Sequence, residues 1–139
     1  MIRTPLALLL LAFPLAAQEP AGSDRGWDPD SLGNHRAVVL VDSAAPAVRV
    51  TIPWRRRDTL PEARDVVVLS AVTGRAMRVV RGRLTREEGT IAFEPADGPG
   101  AYDVYYLRYT GSVHANYPRV SYPPPAPPDS AWLAERQLG

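Results

Sequence analysis

The chain has 139 residues, of which 45% are hydrophobic, with a formal net charge of +1 and no cysteine. All 16 basic residues are arginine. The near-balance of charge disfavours a dedicated nucleic-acid-binding protein, for which a strongly basic domain is typical. The lack of cysteine excludes disulfides and cysteine-ligated zinc.

Residues 1–17 predict a secretory signal peptide. Arg3 precedes an apolar stretch that ends in the small residues Ala16 and Ala17. The stretch is about a dozen residues long, whereas a membrane-spanning helix needs about 20. We therefore expect cleavage, no membrane contact afterwards, and export to the periplasm or the extracellular space; a buried N-terminal helix is the less favoured alternative.

Residues 18–34 are rich in Gly, Pro, Asp and Ser and predict an irregular lead-in that contains Trp27. Over residues 35–115 the pattern changes to short β-branched runs separated by turn residues at intervals of about ten, which is typical of a sandwich or barrel. The predicted strands cover residues 37–41, 48–52, 66–72, 77–84, 90–93 and 101–109. The fold class predicted is all-β, an immunoglobulin-like antiparallel β-sandwich without the disulfide.

Three local details sharpen this prediction. Residues 48–52 alternate apolar and polar side chains, as in a half-buried strand. Gly74 supplies a residue that tolerates positive φ in a turn, which predicts a hairpin between residues 66–72 and 77–84. Residues 101–109 are apolar on both faces, which favours a central strand.

Residues 116–128 form a Pro-rich linker, expected to be a stiff polyproline II spacer. Residues 129–139 predict the start of a helix or of a following domain, with Asp129 or Ser130 as the N-cap. A helix of about two turns is not stable alone in water. We therefore expect the natural polypeptide to continue past Gly139, or the helix to dock on something outside this sequence.

No residue pattern points to catalysis, a metal or a cofactor. His35 and His114 are far apart in sequence and show no zinc-ligand spacing. Glu87 and Glu88 are adjacent carboxylates, but neighbours on a turn point apart and into water, unlike the facing pair of a glycosidase. This chain alone is therefore expected not to be catalytic.

Residues 49–86 hold ten arginines and only three acidic residues. Pairing with the later acidic residues across the sheet is the favoured interpretation. The alternative is a binding surface formed by Trp54, Arg55, Arg56 and Arg57, because Trp and Arg are enriched at protein interfaces and aromatic rings also stack on sugars. A patch for nucleic acid or anionic glycan is the least favoured interpretation.

Four stretches, residues 33–39, 50–58, 93–95 and 100–107, resemble the N-terminal β-sandwich domain of secreted bacterial proteins related to glycoside hydrolase family 123. The resemblance covers about residues 27–139, and its most specific part is the run Ile-Pro-Trp-Arg-Arg-Arg-Asp that ends at Asp58. It implies a β-sandwich ahead of a (β/α)8 catalytic barrel that acts on N-acetylgalactosaminides with an Asp–Glu pair and the substrate's acetamido group.

No barrel element is present in this sequence, so the resemblance transfers no catalytic residue to it. The role it implies is that of a non-catalytic accessory domain, which packs on or positions a downstream catalytic domain of the same polypeptide. The alternative function is that of a free-standing exported β-sandwich protein that binds a carbohydrate or the cell surface, with a glycan as partner.

Overall fold

A computed structural model describes residues 27–112 and 119–136. The described part is mostly β, with strands β1 (Arg36–Val41), β2 (Val48–Pro53), β3 (Val67–Ser70), β4 (Val79–Leu84), β5 (Glu88–Phe93), β6 (Gly100–Tyr105), β7 (Thr110–Ser112) and β8 (Arg119–Ser121), and with helices α1 (Pro29–Leu32) and α2 (Ser130–Arg136). Within these residues, no helix is long and apolar enough to cross a membrane. The predicted signal peptide, residues 1–17, lies outside the described residues.

Sheet A has the antiparallel order β1-β6-β3, so β6 is the central strand, as its apolar faces predicted. Tyr102 and Val104 point into the core. Tyr105 is buried on the opposite face. The Trp27 and Tyr105 rings pack edge to face there, with their centroids 6.0 Å apart. The strand ends at Tyr105 rather than at residue 109.

Sheet B has the antiparallel order β2-β5-β4. The predicted alternation in β2 is confirmed, because Arg49 and Thr51 are exposed while Ile52 is buried. On β5, Ile91 and Phe93 are completely buried. One hydrophobic core draws residues from both three-stranded sheets: Val41, Ile52, Trp54, Val66, Val68, Met77, Leu84, Ile91, Phe93, Tyr102 and Val104.

The predicted hairpin between residues 66–72 and 77–84 is only partly correct. Gly74 has the expected positive φ of 72°, and a single bridge joins Leu69 to Ala76. Beyond Met77 the chain leaves β3, and β4 pairs with β5 in sheet B, with Val79 opposite Phe93. The β4–β5 ladder is interrupted by a register shift between Arg81 and Leu84.

The C-terminal segment packs on the domain itself. β8 pairs with β7, so part of the Pro-rich stretch is a strand. Asp129 caps α2, accepting a hydrogen bond from the Trp132 backbone N–H at 3.0 Å. Trp132 is 2% exposed and Arg78 lies over its ring, 6.0 Å from the centroid. Burial of Trp132, rather than intrinsic propensity, therefore stabilises this short helix.

Candidate functional site

The segment after β2 continues as extended chain and alternates its side chains between core and solvent. The backbone N–H of Trp54 donates to Glu87 O at 2.8 Å, and that of Arg56 donates to Arg86 O at 2.9 Å. This strand-like pairing makes every second side chain face the same way. Trp54 and Arg56 are therefore buried, like Ile52 before them, whereas Arg55 and Arg57 are exposed.

Neighbours surround the Trp54 indole. It stacks on Tyr106 with centroids 4.5 Å apart, and the Arg56 guanidinium carbon lies 5.2 Å from its centroid. Its Nε1–H donates to Thr85 O at 2.8 Å. Gly89 lies so close that a Cβ there would be 1.8 Å from the ring. The ring is thus a packing element in this conformation, with no face free for a sugar.

Arg56 and Asp58 form a bidentate ion pair. Arg56 Nε donates to Asp58 Oδ1 and Nη2 donates to Oδ2, both at 2.8 Å. The Arg56 side chain is 0% exposed, and Arg64 Nε lies 3.5 Å from Asp58 Oδ2. Burial would raise the pKa of Asp58, but the hydrogen bond and charge of Arg56, helped by the charge of Arg64, outweigh it and lower this pKa below 3.8. Asp58 is therefore ionised at neutral pH.

An open cleft of about 350 Å³ lies beside this ion pair, and we refer to it as the arginine cleft. Its lining residues are His35, Arg55, Arg57, Asp58, Leu107 and Tyr122. Burial, with the charge of Arg56, lowers the pKa of His35 below 6.5 despite the opposing charge of Asp58, so its imidazole is neutral at pH 7. The guanidinium of Arg64 lies over the Tyr122 ring, 4.0 Å from its centroid.

The structure separates the four residues predicted to bind. Arg55 and Arg57 line the arginine cleft together, while Trp54 and Arg56 lie in the wall behind it. Sequence reasoning missed the contribution of His35 and Tyr122, which lie far apart in the chain. The sequence could have indicated that Trp54 and Arg56 point inward. They lie two and four residues after Ile52, and alternate side chains of an extended chain share a face.

The chemistry available in the cleft is that of charge and hydrogen bonding. Among the residues that the structure describes, Asp58 is the one carboxylate that lines it, and both its oxygens bind Arg56. Glu88 lies elsewhere, on an exposed turn at the start of β5. Across residues 27–112 and 119–136, no three His, Cys, Asp or Glu side chains come together in a group that could hold a metal ion.

Comparison with known protein families yields a match. The family model described as "Glycoside hydrolase 123, N-terminal domain" matches residues 25–138 of the chain. No curated protein and no solved structure matches. The matched segment includes every strand of sheets A and B, the arginine cleft and α2.

Proposed function

The chain belongs to the glycoside hydrolase 123 N-terminal domain family, and we propose that it is the non-catalytic accessory domain of an exported glycoside hydrolase. The family match over residues 25–138 is the observation that carries this proposal. We further propose that a catalytic barrel follows in the same polypeptide, that residues 1–17 direct export, and that sheets A and B form an immunoglobulin-like sandwich. The core shared by the two sheets supports that last proposal.

The arginine cleft supports a non-catalytic role. Glycoside hydrolysis usually needs two carboxyl groups across the scissile bond, one of them protonated at working pH. Within residues 27–112 and 119–136, Asp58 is the single carboxylate lining the cleft, and its lowered pKa keeps it ionised. Asp58 therefore lacks both the second carboxyl group of a glycosidase pair and the proton that a general acid donates.

The outer face of sheet A supports packing against a second domain. In an antiparallel pair, directly opposed residues share a face. Leu40 lies opposite Ala101, and Val38 and Leu69 both lie opposite the buried Asp103, which Arg36 approaches to 3.8 Å, so the face that points away from the core carries apolar side chains around one ion pair. Leu40 is 54% exposed. Exposed apolar surface of this kind marks interaction sites, and the catalytic domain is the occupant proposed.

The first experiment asks whether a catalytic domain is joined to this one. The intact mass of the polypeptide purified from its native source is expected to exceed clearly the 15.2 kDa of this sequence. The purified 139-residue chain is expected not to hydrolyse an aryl N-acetylgalactosaminide. The native polypeptide is expected to hydrolyse it. Turnover by the short chain, or a native polypeptide of the short mass, would contradict the accessory role.

A second experiment locates the interface. In the native polypeptide, Leu40→Glu is expected to uncouple the unfolding transitions of the two domains and to speed proteolysis between them. Thr51→Glu is the matched control, because Thr51 is exposed on the outer face of sheet B. Equal effects of the two substitutions would remove sheet A from the proposal while leaving the accessory role intact.

A free-standing exported carbohydrate- or cell-surface-binding protein is the second candidate function, and the open arginine cleft favours it. Binding would then depend on Arg55 and Arg57 rather than on the buried Trp54 ring. Binding of the purified chain to a glycan array, abolished by Arg57→Gln, would support this candidate if the native polypeptide also had the mass of the short chain.

A further inference from the structure

The arginine cleft concentrates positive charge around a single carboxylate. Arg55 and Arg57 line the cleft, and Arg56 and Arg64 adjoin it through their contacts with Asp58. Four guanidinium groups therefore surround one negative charge. Positive potential in a concave site is amplified by its low-dielectric walls, so the cleft attracts anions.

Buried polar atoms around the cleft also lack hydrogen-bond partners. Among the described residues, Arg56 Nη1 and Arg64 Nε are shielded from solvent and make no hydrogen bond in the protein, although Arg64 Nε has its ion-pair contact with Asp58 Oδ2 at 3.5 Å. His35 Nδ1, in a residue that lines the cleft, is also without a partner, whether as donor or as acceptor. Buried polar groups are hydrogen-bonded in the large majority of cases, so a cluster of exceptions at one place needs a physical reason.

The shape of the cleft suits a ligand the size of a monosaccharide. Its volume of about 350 Å³ falls within the range of small-molecule sites, about 300–1,000 Å³. Leu107 and Tyr122 give it an apolar side, and an aromatic ring with a polar tip suits the apolar face of a sugar. The exposed Arg55 and Arg57 can offer planar, bidentate donors, which match the geometry of a carboxylate.

We infer that the arginine cleft binds a sugar acid, a saccharide residue that carries a carboxylate group. Arg55 and Arg57 hold the carboxylate, and Leu107 and Tyr122 contact the ring. This inference rests on the cleft and is independent of whether a catalytic domain follows the chain. It gives the domain a ligand of its own, separate from the neutral N-acetylgalactosaminides implied for the barrel.

Isothermal titration of the purified chain with sodium glucuronate at low ionic strength tests this inference. Glucose, which lacks the carboxylate, and acetate, which lacks the sugar ring, serve as comparison probes. Glucuronate is expected to bind at least about tenfold more tightly than either, because a charge-assisted hydrogen bond and an apolar ring contact each contribute. Binding is expected to weaken as salt is added.

Arg57→Gln is expected to weaken glucuronate binding about tenfold or more, since it removes one charged donor. Arg83→Gln is the matched control, because Arg83 is equally exposed but does not line the cleft. Arg83→Gln is expected to change the affinity less than twofold. Both arginines are on the surface, and far-ultraviolet circular dichroism with a thermal melt checks that both variants fold.

Three outcomes would overturn the inference. Glucuronate and acetate of equal affinity would show that the sugar ring is not recognised. Equal weakening by Arg57→Gln and Arg83→Gln would show that overall charge, and not the cleft, attracts the anion. A short glutamate-containing peptide that binds more tightly than glucuronate would show that the cleft receives a protein side chain instead. The intact-mass test of the accessory role does not involve the cleft and would stand in each case.

Discussion

Gly89→Ala tests the position of Trp54 directly, because the new methyl group would occupy the space of the indole ring. Its Cβ would lie 1.8 Å from Trp54 Cη2 and 2.2 Å from Cζ2. Carbon atoms in contact need about 3.5 Å, so the ring would have to move by about 1.7 Å. Gly89 is not among the described glycines with positive φ, so the effect is steric rather than one of backbone conformation.

The ring has little freedom to make that movement. It is held by the stack on Tyr106 and by the hydrogen bond from Nε1 to Thr85 O. Overpacking a core costs about 1–3 kcal/mol, and loss of the stack costs about 0.5–1.5 kcal/mol more. The lower entropy of the unfolded chain returns about 0.4–1 kcal/mol. The net loss of unfolding free energy is therefore expected to be about 2 kcal/mol, within a range of about 0.5–4 kcal/mol. A loss of about 2 kcal/mol corresponds to roughly 8–16 °C in the melting temperature.

Urea denaturation followed by tryptophan fluorescence measures this loss. Gly82→Ala is the comparison variant, because its Cβ would lie 3.0 Å from the Thr90 backbone oxygen, and it is expected to cost less than about 1 kcal/mol. In a double-mutant cycle with Trp54→Leu, the Gly89→Ala cost should fall by at least about 1.5 kcal/mol, since the clash disappears. A cost below about 0.5 kcal/mol for Gly89→Ala, or additivity in the cycle, would refute the placement of the ring.

Three further predictions concern the ion pair, the histidine and α2. Asp58→Asn leaves the completely buried Arg56 side chain without its counter-charge, so it is expected to cost about 3 kcal/mol in urea denaturation at pH 7; a cost below 1 kcal/mol would contradict a buried pair. The pKa of His35 is below 6.5 in the folded state, so the unfolded chain binds more protons as the pH falls below 6.5 and stability declines. His35→Gln should flatten the decline between pH 7 and pH 5, and an unchanged slope would assign it to other groups. Trp132→Ala should abolish hydrogen-exchange protection in α2 while β6 stays protected, and full protection of α2 would show that Trp132 does not hold the helix.

Sequence patterns were reliable where the physical cause was local. Alternation in β2 followed from period-two side chains, and the cap of α2 followed from Asp129 before good helix formers. The same period, extended two and four residues beyond Ile52, would have placed Trp54 and Arg56 inside. Grouping them with Arg55 and Arg57 as one surface treated neighbours in sequence as neighbours in space.

Some features depended on the choice between distant partners. The pairing of β4 with β5 rather than β3 joins segments that local turn chemistry at Gly74 cannot bring together. The docking of α2 likewise depends on the contact between Trp132 and Arg78, two residues that are distant in the chain. In each case the local sequence was compatible with more than one pairing, and long-range packing determined which pairing formed.

The sequence by itself determined that this chain forms β-strands and which strand is central, because β-branched periodicity and an apolar surface on both faces are properties of neighbouring residues. It also carried the family resemblance, in a run of seven residues that ends at Asp58. The tertiary structure alone decided that His35 and Tyr122 meet Arg55 and Arg57 in one cleft. Residues so far apart in the chain share a surface only after two sheets and a terminal segment have packed, and no local propensity encodes that meeting.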